Sequence, residues 1–492
     1  MKNILWLALA LTISFSAFSQ TITAKIIDNT NGNPIAYATV KTGPHSGVIS
    51  NEEGYFSINT ENDLVSVSIS CMGYQPKDIT IETIKSLDYT IPLEEAINQL
   101  DEVYLSNKRP HVDSIIAMVK RNISKNYNIN LNTYHLFYRS TDHVDFKHLD
   151  FEIEKAKHVP SKNIHLANAE FTQLTNTIMN SNIVHFTDVK GALHTLNQDS
   201  SKMVVEKVTK LLDHKKDFSI ENIEEKAKTL VLKYLDTTKT YKVKTGLFKV
   251  EDSMSIKEEE LKSDKEKTYA VANLKNSTRS LIKKATFSHN SFLNTLIDPD
   301  LYDYTLEDII YDKNDLNYII LFEPRRAKSK LTGTLVINDD DYAITRVNYN
   351  YYKSRHGSKF NLRLLLGVKY VENISEGTYI YEKQNDSTYQ PKYIKRIKGS
   401  YFYVNRDFKL IENSPQKHKI GFNFKIEGDN RTKEEFLLTA MTNNDLESYN
   451  KIQQEKEVPF IQLSAFDKSA WENEEIIEPL EEMKRFGSGN SL

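Results

Sequence analysis

Apolar and polar residues alternate along many segments of this chain, and this pattern constrains the fold more than any other feature. Ile22, Ala24 and Ile26 alternate with two polar residues near the start. The clearest alternation runs from Phe360 to Tyr370, with an apolar or aromatic side chain at every second position. A period of two is that of a β-strand with one face on a core. The chain is therefore predicted to be mostly β with some α: an N-terminal β-sandwich, an α+β region and a large antiparallel β-meander.

The first 19 residues have the pattern of a secretory signal peptide. Lys2 supplies a positive charge, and a nearly unbroken apolar run extends from Leu5 to Phe18. Cleavage is predicted between Ser19 and Gln20. An uncleaved anchor helix is less favoured, because the run is short for a membrane span and no basic flank follows it. We expect an exported protein, periplasmic or associated with the outer membrane, with no transmembrane helix after cleavage.

Net charge and cysteine content narrow the classes of protein further. The 492 residues carry a formal net charge of -3, which predicts no general attraction to nucleic acid. Cys71 is the only cysteine, so no intramolecular disulfide can form. Because Cys71 continues an alternation through Val67 and Ile69, it is predicted to be a buried structural thiol and not a reactive one.

Changes of pattern divide the chain into five segments. They are a signal peptide at 1–19, the β-sandwich at 20–105, a helix-rich α+β region at 106–310, the β-meander at 311–445 and a C-terminal tail at 446–492. Within the α+β region, helices are predicted at 112–123, 204–212, 219–234 and 273–297, where apolar residues recur at helical spacing. These helices are expected to cover the apolar face of the meander.

The sandwich segment resembles the carboxypeptidase regulatory-like domain. The motifs that carry the resemblance are Thr39-Val40, Asn51-Glu52-Glu53-Gly54-Tyr55-Phe56, Met72-Gly73-Tyr74, Leu93 and Leu100-Asp101-Glu102-Val103. The resemblance implies a prealbumin-type sandwich of the kind that begins many exported proteins of Gram-negative bacteria, TonB-dependent transporters included. It implies a fold and a compartment, and no catalytic residues. Ala24 is a departure, since the family often has glycine there.

The second half resembles the periplasmic half of large Gram-negative envelope proteins of unknown function. The resemblance lies in Pro324-Arg325-Arg326, in residues 331–337, in Asp341-Tyr342-Ala343-Ile344 and in the segment from Phe466 to Asn473. Proteins of that kind continue into an outer-membrane barrel. This sequence lacks the many alternating segments of a barrel, so no barrel is expected, and a function located in such a barrel is not implied.

Two surfaces are candidate binding sites. Phe360, Leu362, Leu364 and Leu366 would line a ligand groove if no helix covered them, but a covered core is the favoured interpretation. Arg325, Arg326 and Lys328 form a short basic patch suited to phosphate or lipid headgroups. The alternative is that these charges are solvated and keep the edge of a strand from pairing with another chain.

No metal site and no cofactor are predicted. The histidines at 135, 143, 148 and 158 cluster only loosely in sequence and are interpreted as solvated. The run Asp339-Asp340-Asp341 lacks the spaced ligands of a calcium loop and is interpreted as a hairpin turn.

The leading functional hypothesis is a non-catalytic envelope protein that acts as a binding or assembly module. Its partner would be another envelope protein or an outer-membrane component. The chain has no Gly-x-Ser-x-Gly, phosphate-loop or His-Glu-x-x-His motif, which lowers the expectation of an enzyme. Two alternatives stay open: a periplasmic carrier that holds a lipid or other hydrophobic ligand in a half-barrel, and an envelope hydrolase.

The signal peptide gives the first prediction. Protein purified from the cell envelope should begin at Gln20, because the residues before it suit signal peptidase. N-terminal sequencing measures this directly. Retention of Met1, or recovery of the protein from the cytosol, would contradict it.

Overall fold

A computed structural model describes most of the chain. The described residues are 21–43, 46–60, 64–96, 110–127, 132–181, 183–197, 200–212, 241–245, 248–254, 268–287, 291–312, 315–384 and 387–487, with single positions between 223 and 233. The predicted signal peptide lies outside them. In the described part of the chain, no helix combines the length and the apolar character needed to cross a membrane.

The chain forms two compact units. The first comprises residues 1–99, 310–315 and 467–484, and the second comprises 100–309, 316–466 and 485–492. The sandwich therefore includes part of the predicted C-terminal tail, and each unit contains segments that are distant in sequence.

The first unit is a β-sandwich, as predicted. Its two sheets have the strand orders β4-β1-β7 and β3-β2-β5-β6. The strands are β1 (Thr21–Asp28), β2 (Thr39–Lys41), β3 (Gly47–Ile49), β4 (Tyr55–Asn59), β5 (Ser66–Ser70), β6 (Lys77–Thr80) and β7 (Thr90–Leu93). One pairing differs from an all-antiparallel sandwich, since β7 runs parallel to β1. A short helix, α1 (Ile81–Ser86), precedes β7, and such crossover connections are what parallel pairing requires.

The predicted core residues of the sandwich are buried. Cys71 is 8% exposed and Ala24 is 1% exposed, and both belong to one apolar cluster. The prediction of a buried thiol is confirmed. Gly54 has a φ of 80°, and a Cβ there would strike the carbonyl oxygen of Ile26, so glycine is required at this turn.

Residues 467–484 return to the sandwich and complete it. They form a 3-10 helix (Lys468–Trp471) and a short α-helix. Glu478 is the main contact: its carbonyl accepts a hydrogen bond from the Asn51 side chain at 3.0 Å, and its carboxylate accepts one from Ser57 at 2.6 Å. Lys484 neutralises this buried carboxylate at 3.2 Å.

The second unit contains the predicted antiparallel meander as part of a larger sheet. Among the described residues, fourteen strands join one sheet with the central order β14-β15-β16-β17-β19-β20-β21-β8-β9-β10-β23. The segments 106–310 and 311–445 both contribute to it. Only β23 is parallel to its partner, β10, in the described pairings of this sheet.

The sheet combines short and very long strands. They are β8 (Asn132–Lys155), β9 (Ile183–Thr195), β10 (Ser201–Leu211), β11 (Tyr241–Thr245), β12 (Phe248–Met254), β14 (Tyr302–Asp312), β15 (Asp315–Pro324), β16 (Leu331–Asn338), β17 (Ile344–Tyr351), β18 (Lys359–Leu362), β19 (Val368–Lys383), β20 (Tyr389–Glu412), β21 (Lys419–Asn443) and β23 (Ile461–Leu463). A separate pair is formed by β13 (Thr268–Ala270) and β22 (Glu457–Pro459).

The second unit also contains helices, and some of them cover parts of this sheet. They are α2 (Val112–Asn126), α3 (Ser161–Met179), α4 (Val271–Lys284), α5 (Phe292–Leu296), α6 (Arg363–Leu366) and α7 (Leu446–Lys451). Apolar residues of α2, α4 and α5 share a core with β8 to β10, with β14 to β17 and with β19 to β21. Residues of α3 pack in two smaller clusters with β8, β20 and β21. The predicted helix at 112–123 is confirmed, and that at 273–297 is divided between α4 and α5.

The helix predicted at 204–212 is wrong, because these residues belong to β10. A β-bulge between Val205 and Lys207 shifts the inward-facing positions by one residue. The partly buried Val205 and the buried Val208 therefore both face the core although they are three residues apart, and this spacing imitates a helix. Most of the helix predicted at 219–234 lies outside the described residues.

The strand predicted from Phe360 to Tyr370 is also wrong as one element. The chain forms β18, then the single turn α6, and reverses into β19. Gly367 permits the reversal, because its φ of 63° lies in the left-handed region that glycine tolerates best.

Two buried ion pairs link neighbouring strands of the large sheet. Arg139 of β8 binds Asp188 of β9 through two hydrogen bonds of 2.7 Å, and both side chains are almost fully buried. Arg396 of β20 binds Glu434 of β21 at 2.5–2.8 Å. Each pair joins residues that face each other directly in the strand register.

Replacing one of these charges should destabilise the sheet. Asp188→Asn leaves the Arg139 guanidinium buried without its counter-charge, so a loss of about 3–5 kcal/mol in the free energy of unfolding is expected. Urea unfolding followed by circular dichroism measures it. Glu447→Gln is the control, since Glu447 and Lys451 form an exposed pair, and its effect should stay below about 0.5 kcal/mol. Equal effects of the two substitutions would contradict the role of burial.

Candidate functional site

The reversal between β18 and β19 creates a projecting hairpin, residues 359–371, here called the leucine hairpin. Lys359–Leu362 pairs with the start of β19, and α6 forms the tip. The tip is held to β20, because the backbone N–H of Asn405 donates to the carbonyl of Gly367 at 2.8 Å. Arg406 adds a second contact, from its Nε to the carbonyl of Leu366 at 2.9 Å.

The apolar side chains of the leucine hairpin are exposed. Leu364 is 101% and Leu365 is 83% exposed. The other three are Phe360 at 47%, Leu362 at 40% and Leu366 at 37%. The expectation that helices cover these residues is wrong, because all five side chains are exposed. Contiguous exposed leucines are uncommon on soluble monomers and mark interaction surfaces.

One face of the leucine hairpin continues as a row of aromatic rings. Phe360 stacks on Tyr370 with ring centroids 5.6 Å apart. Tyr370 pairs in register with Phe402, whose ring contacts Phe146 edge-on at 6.2 Å. Gly428 lies between Phe402 and Phe146 in the register and supplies no side chain. The row anchors the hairpin to the apolar cluster beneath α3.

The other face carries cations over tyrosine rings. The guanidinium of Arg363 lies 4.0 Å from the ring centre of Tyr403, and Nζ of Lys369 lies 4.8 Å from that of Tyr401. The hydrogen bond to Tyr403 raises the pKa of Arg363, a group that is already protonated at physiological pH. Burial and the hydrogen bond to Glu427 raise the pKa of Tyr401 to about 12, so this phenol stays neutral at physiological pH.

The charge of the leucine hairpin is of one sign. Residues 359–369 contain Lys359, Arg363 and Lys369 and no acidic residue. The exposed leucines are therefore bordered by positive charge, a combination that suits an anionic surface with an apolar interior.

The predicted basic patch lies on the turn between β15 and β16. Nε of Arg325 binds the carboxylate of Asp303 at 2.7 Å, which neutralises part of the patch. Nε of Arg326 is directed to the carbonyl of Asp300 at 3.3 Å, and Lys328 is exposed. Anion binding by this patch stays a prediction.

The histidines singled out in the sequence do not converge as a group. His135, His143 and His148 are spread along β8. The eight residues from His135 to His143 alone span roughly 26 Å. His158 instead meets two residues from other strand ends, Glu412 and His418. Asp339, Asp340 and Asp341 form the hairpin turn that was predicted.

Sequence reasoning missed Glu412 and His418, which follow no local motif. It named four residues of the leucine hairpin but placed them in a covered strand. The signal for the tip was present, since three consecutive leucines followed by glycine break a period of two and are typical of a short helical end.

The first unit has the class of fold that the sequence motifs imply, a small β-sandwich. The model of the CarboxypepD_reg-like domain family matches residues 22–105. This confirms the resemblance for the N-terminal part of the chain, and the domain is a non-catalytic one. No curated protein and no solved structure matches the chain.

Gly367 should control the order of the leucine hairpin. A Cβ at this position would overlap the carbonyl oxygen of Asn405, and its positive φ adds about 1–2 kcal/mol of backbone strain. Gly367→Ala should therefore raise the initial rate of tryptic cleavage after Arg363, by roughly 5–30-fold. Mass spectrometry of the early fragments measures the rate.

Gly421→Ala is the matched control for this prediction. A Cβ on Gly421 would meet only Lys155, at an ordinary contact distance of 3.7 Å. Its cleavage rate after Arg363 should equal that of the wild type. Equal rates in all three proteins would show that Gly367 does not limit the order of the hairpin.

Proposed function

We propose that this chain is an exported, non-catalytic envelope protein that docks on an anionic lipid surface through the leucine hairpin. Its CarboxypepD_reg-like domain would act as an interaction module for a further envelope component. The observation that carries the proposal is the complete exposure of Leu364 beside Leu365 and Leu366, on a hairpin whose only charged residues are cations.

The physical basis is the transfer of the tip into the boundary of the lipid headgroups. Each leucine removed from water contributes roughly 1.5–3 kcal/mol. Lys359, Arg363 and Lys369 would remain at headgroup level, where each cation near an anionic surface adds about 1 kcal/mol. Tyrosine rings are favoured at the same level, because they combine an apolar body with a polar tip.

A protein partner is the less favoured occupant of the tip. Leu364 and Leu365 project from the end of a hairpin, whereas the core of a protein interface needs matched, closely packed surfaces. The carrier alternative is also less well supported, because a fully exposed Leu364 does not line a groove. The hydrolase alternative stays a prediction.

Vesicle binding tests the proposal. The mature protein should co-sediment with vesicles of phosphatidylcholine mixed with phosphatidylglycerol, and far less with phosphatidylcholine alone. Leu364→Asp should weaken binding at least about tenfold, because it removes one inserted leucine and adds a repelled carboxylate. Added salt should weaken binding of the wild type by screening the cations.

Leu446→Asp is the matched control for vesicle binding. Leu446 is 55% exposed at the start of α7, outside the leucine hairpin, and its replacement should leave binding unchanged. Circular dichroism should show both variants folded. The proposal fails if the wild type binds neither vesicle, or if both aspartate variants bind equally well. Capture of a protein by the wild type but not by Leu364→Asp, without vesicle binding, would assign the tip to protein docking instead.

A further inference from the structure

Three strand ends of the second unit meet at one corner of the large sheet. His158 follows β8 by three residues, Glu412 is the last residue of β20, and His418 directly precedes β21. The pairing of β21 with both β8 and β20 brings these positions together, since Gly421 faces Lys155 and Lys419 faces Ile411.

The three side chains form a compact donor set. Nδ1 of His418 lies 2.8 Å from Oε2 of Glu412. The imidazole rings of His158 and His418 are stacked, with centroids 4.5 Å apart and an interplanar angle of 11°. One nitrogen or oxygen of each residue lies within 4.8 Å of the corresponding atoms of the other two.

Glu412 is held in place before any ligand arrives. Its backbone N–H donates to the carbonyl of His418 at 2.9 Å, and Tyr241 of β11 faces it on the other side. The side chain is 2% exposed above an apolar cluster that includes Leu410 and Ile420. A carboxylate in such surroundings requires a nearby positive charge.

A hydrogen-bonded His–Glu pair with a stacked neighbour is the simpler interpretation of this corner. Two imidazoles and one carboxylate are also the donor set of open zinc sites. We propose that His158, Glu412 and His418 bind a divalent transition metal ion of the zinc class, with the remaining coordination position open to water.

Binding would need a small local change. Donors around a tetrahedral zinc ion lie roughly 3.3–3.6 Å apart, so the His418–Glu412 pair must open slightly from 2.8 Å and any pair near the 4.8 Å limit must close. One imidazole must also rotate out of the stack, since a lone pair lies in the plane of its ring. The side chain of His418 is 39% exposed and can rotate. The ion would join the end of β8 to the turn between β20 and β21.

Isothermal titration with zinc chloride tests the site, on untagged mature protein that has been treated with a chelator. The wild type should bind one equivalent and should gain thermal stability on binding. Cobalt chloride should give the visible absorption of a tetrahedral nitrogen–oxygen site. His158→Ala should weaken zinc binding at least tenfold and abolish both the stabilisation and the cobalt spectrum. His158 lies outside the strands and outside the Glu412–His418 pair, so this variant should fold normally.

His148→Ala is the matched control, because His148 lies on β8 away from the three ligands. It should bind zinc as the wild type does. Absence of zinc binding by the wild type would overturn the proposal, and so would equal affinity in the wild type and His158→Ala. Neither result depends on the leucine hairpin, so the metal site and the lipid docking can fail separately.

Discussion

Buried ion pairs between neighbouring long strands are the interaction on which the large sheet depends. β8, β20 and β21 are 24, 24 and 25 residues long. A slip of two residues would leave every side chain on its original face, so the apolar pattern alone does not fix the register. The Arg139–Asp188 and Arg396–Glu434 pairs remove this freedom, because a slip would leave charges buried without partners, at a cost of several kcal/mol.

The Arg396–Glu434 pair also bears on the histidine and glutamate donor set, because Glu412 ends β20 and His418 precedes β21. A slip of two residues between these strands moves the end of one past the other by about 7 Å, which would separate Glu412 from His418. A charge pair in the middle of β20 and β21 therefore helps to position side chains at their ends.

The sequence predicts a strand well where inward-facing and outward-facing residues alternate without interruption and one face lies on a core, as in β1. The sequence prediction fails where a bulge or a chain reversal changes which residues face the core. The bulge after Val205 makes a strand resemble a helix, and the reversal at Gly367 makes a hairpin resemble a strand. The histidine and glutamate donor set is not predictable locally, because Glu412 and His158 meet only through the pairing of strands that are distant in sequence. The exposed leucines were visible as residues, but their exposure follows from a single left-handed glycine.

The return of residues 467–484 to the first unit has a consequence for how the chain matures. The hydrogen-bonded residues Asn51 and Glu478 are 427 positions apart, and synthesis proceeds from the N-terminus. The sandwich is thus made early but lacks residues 467–484 until synthesis has passed them. Chains that stop early would carry a front domain with the Asn51 amide and the surface around it uncovered. The packing of the N-terminal domain is therefore complete only after residues 467–484 have been synthesised.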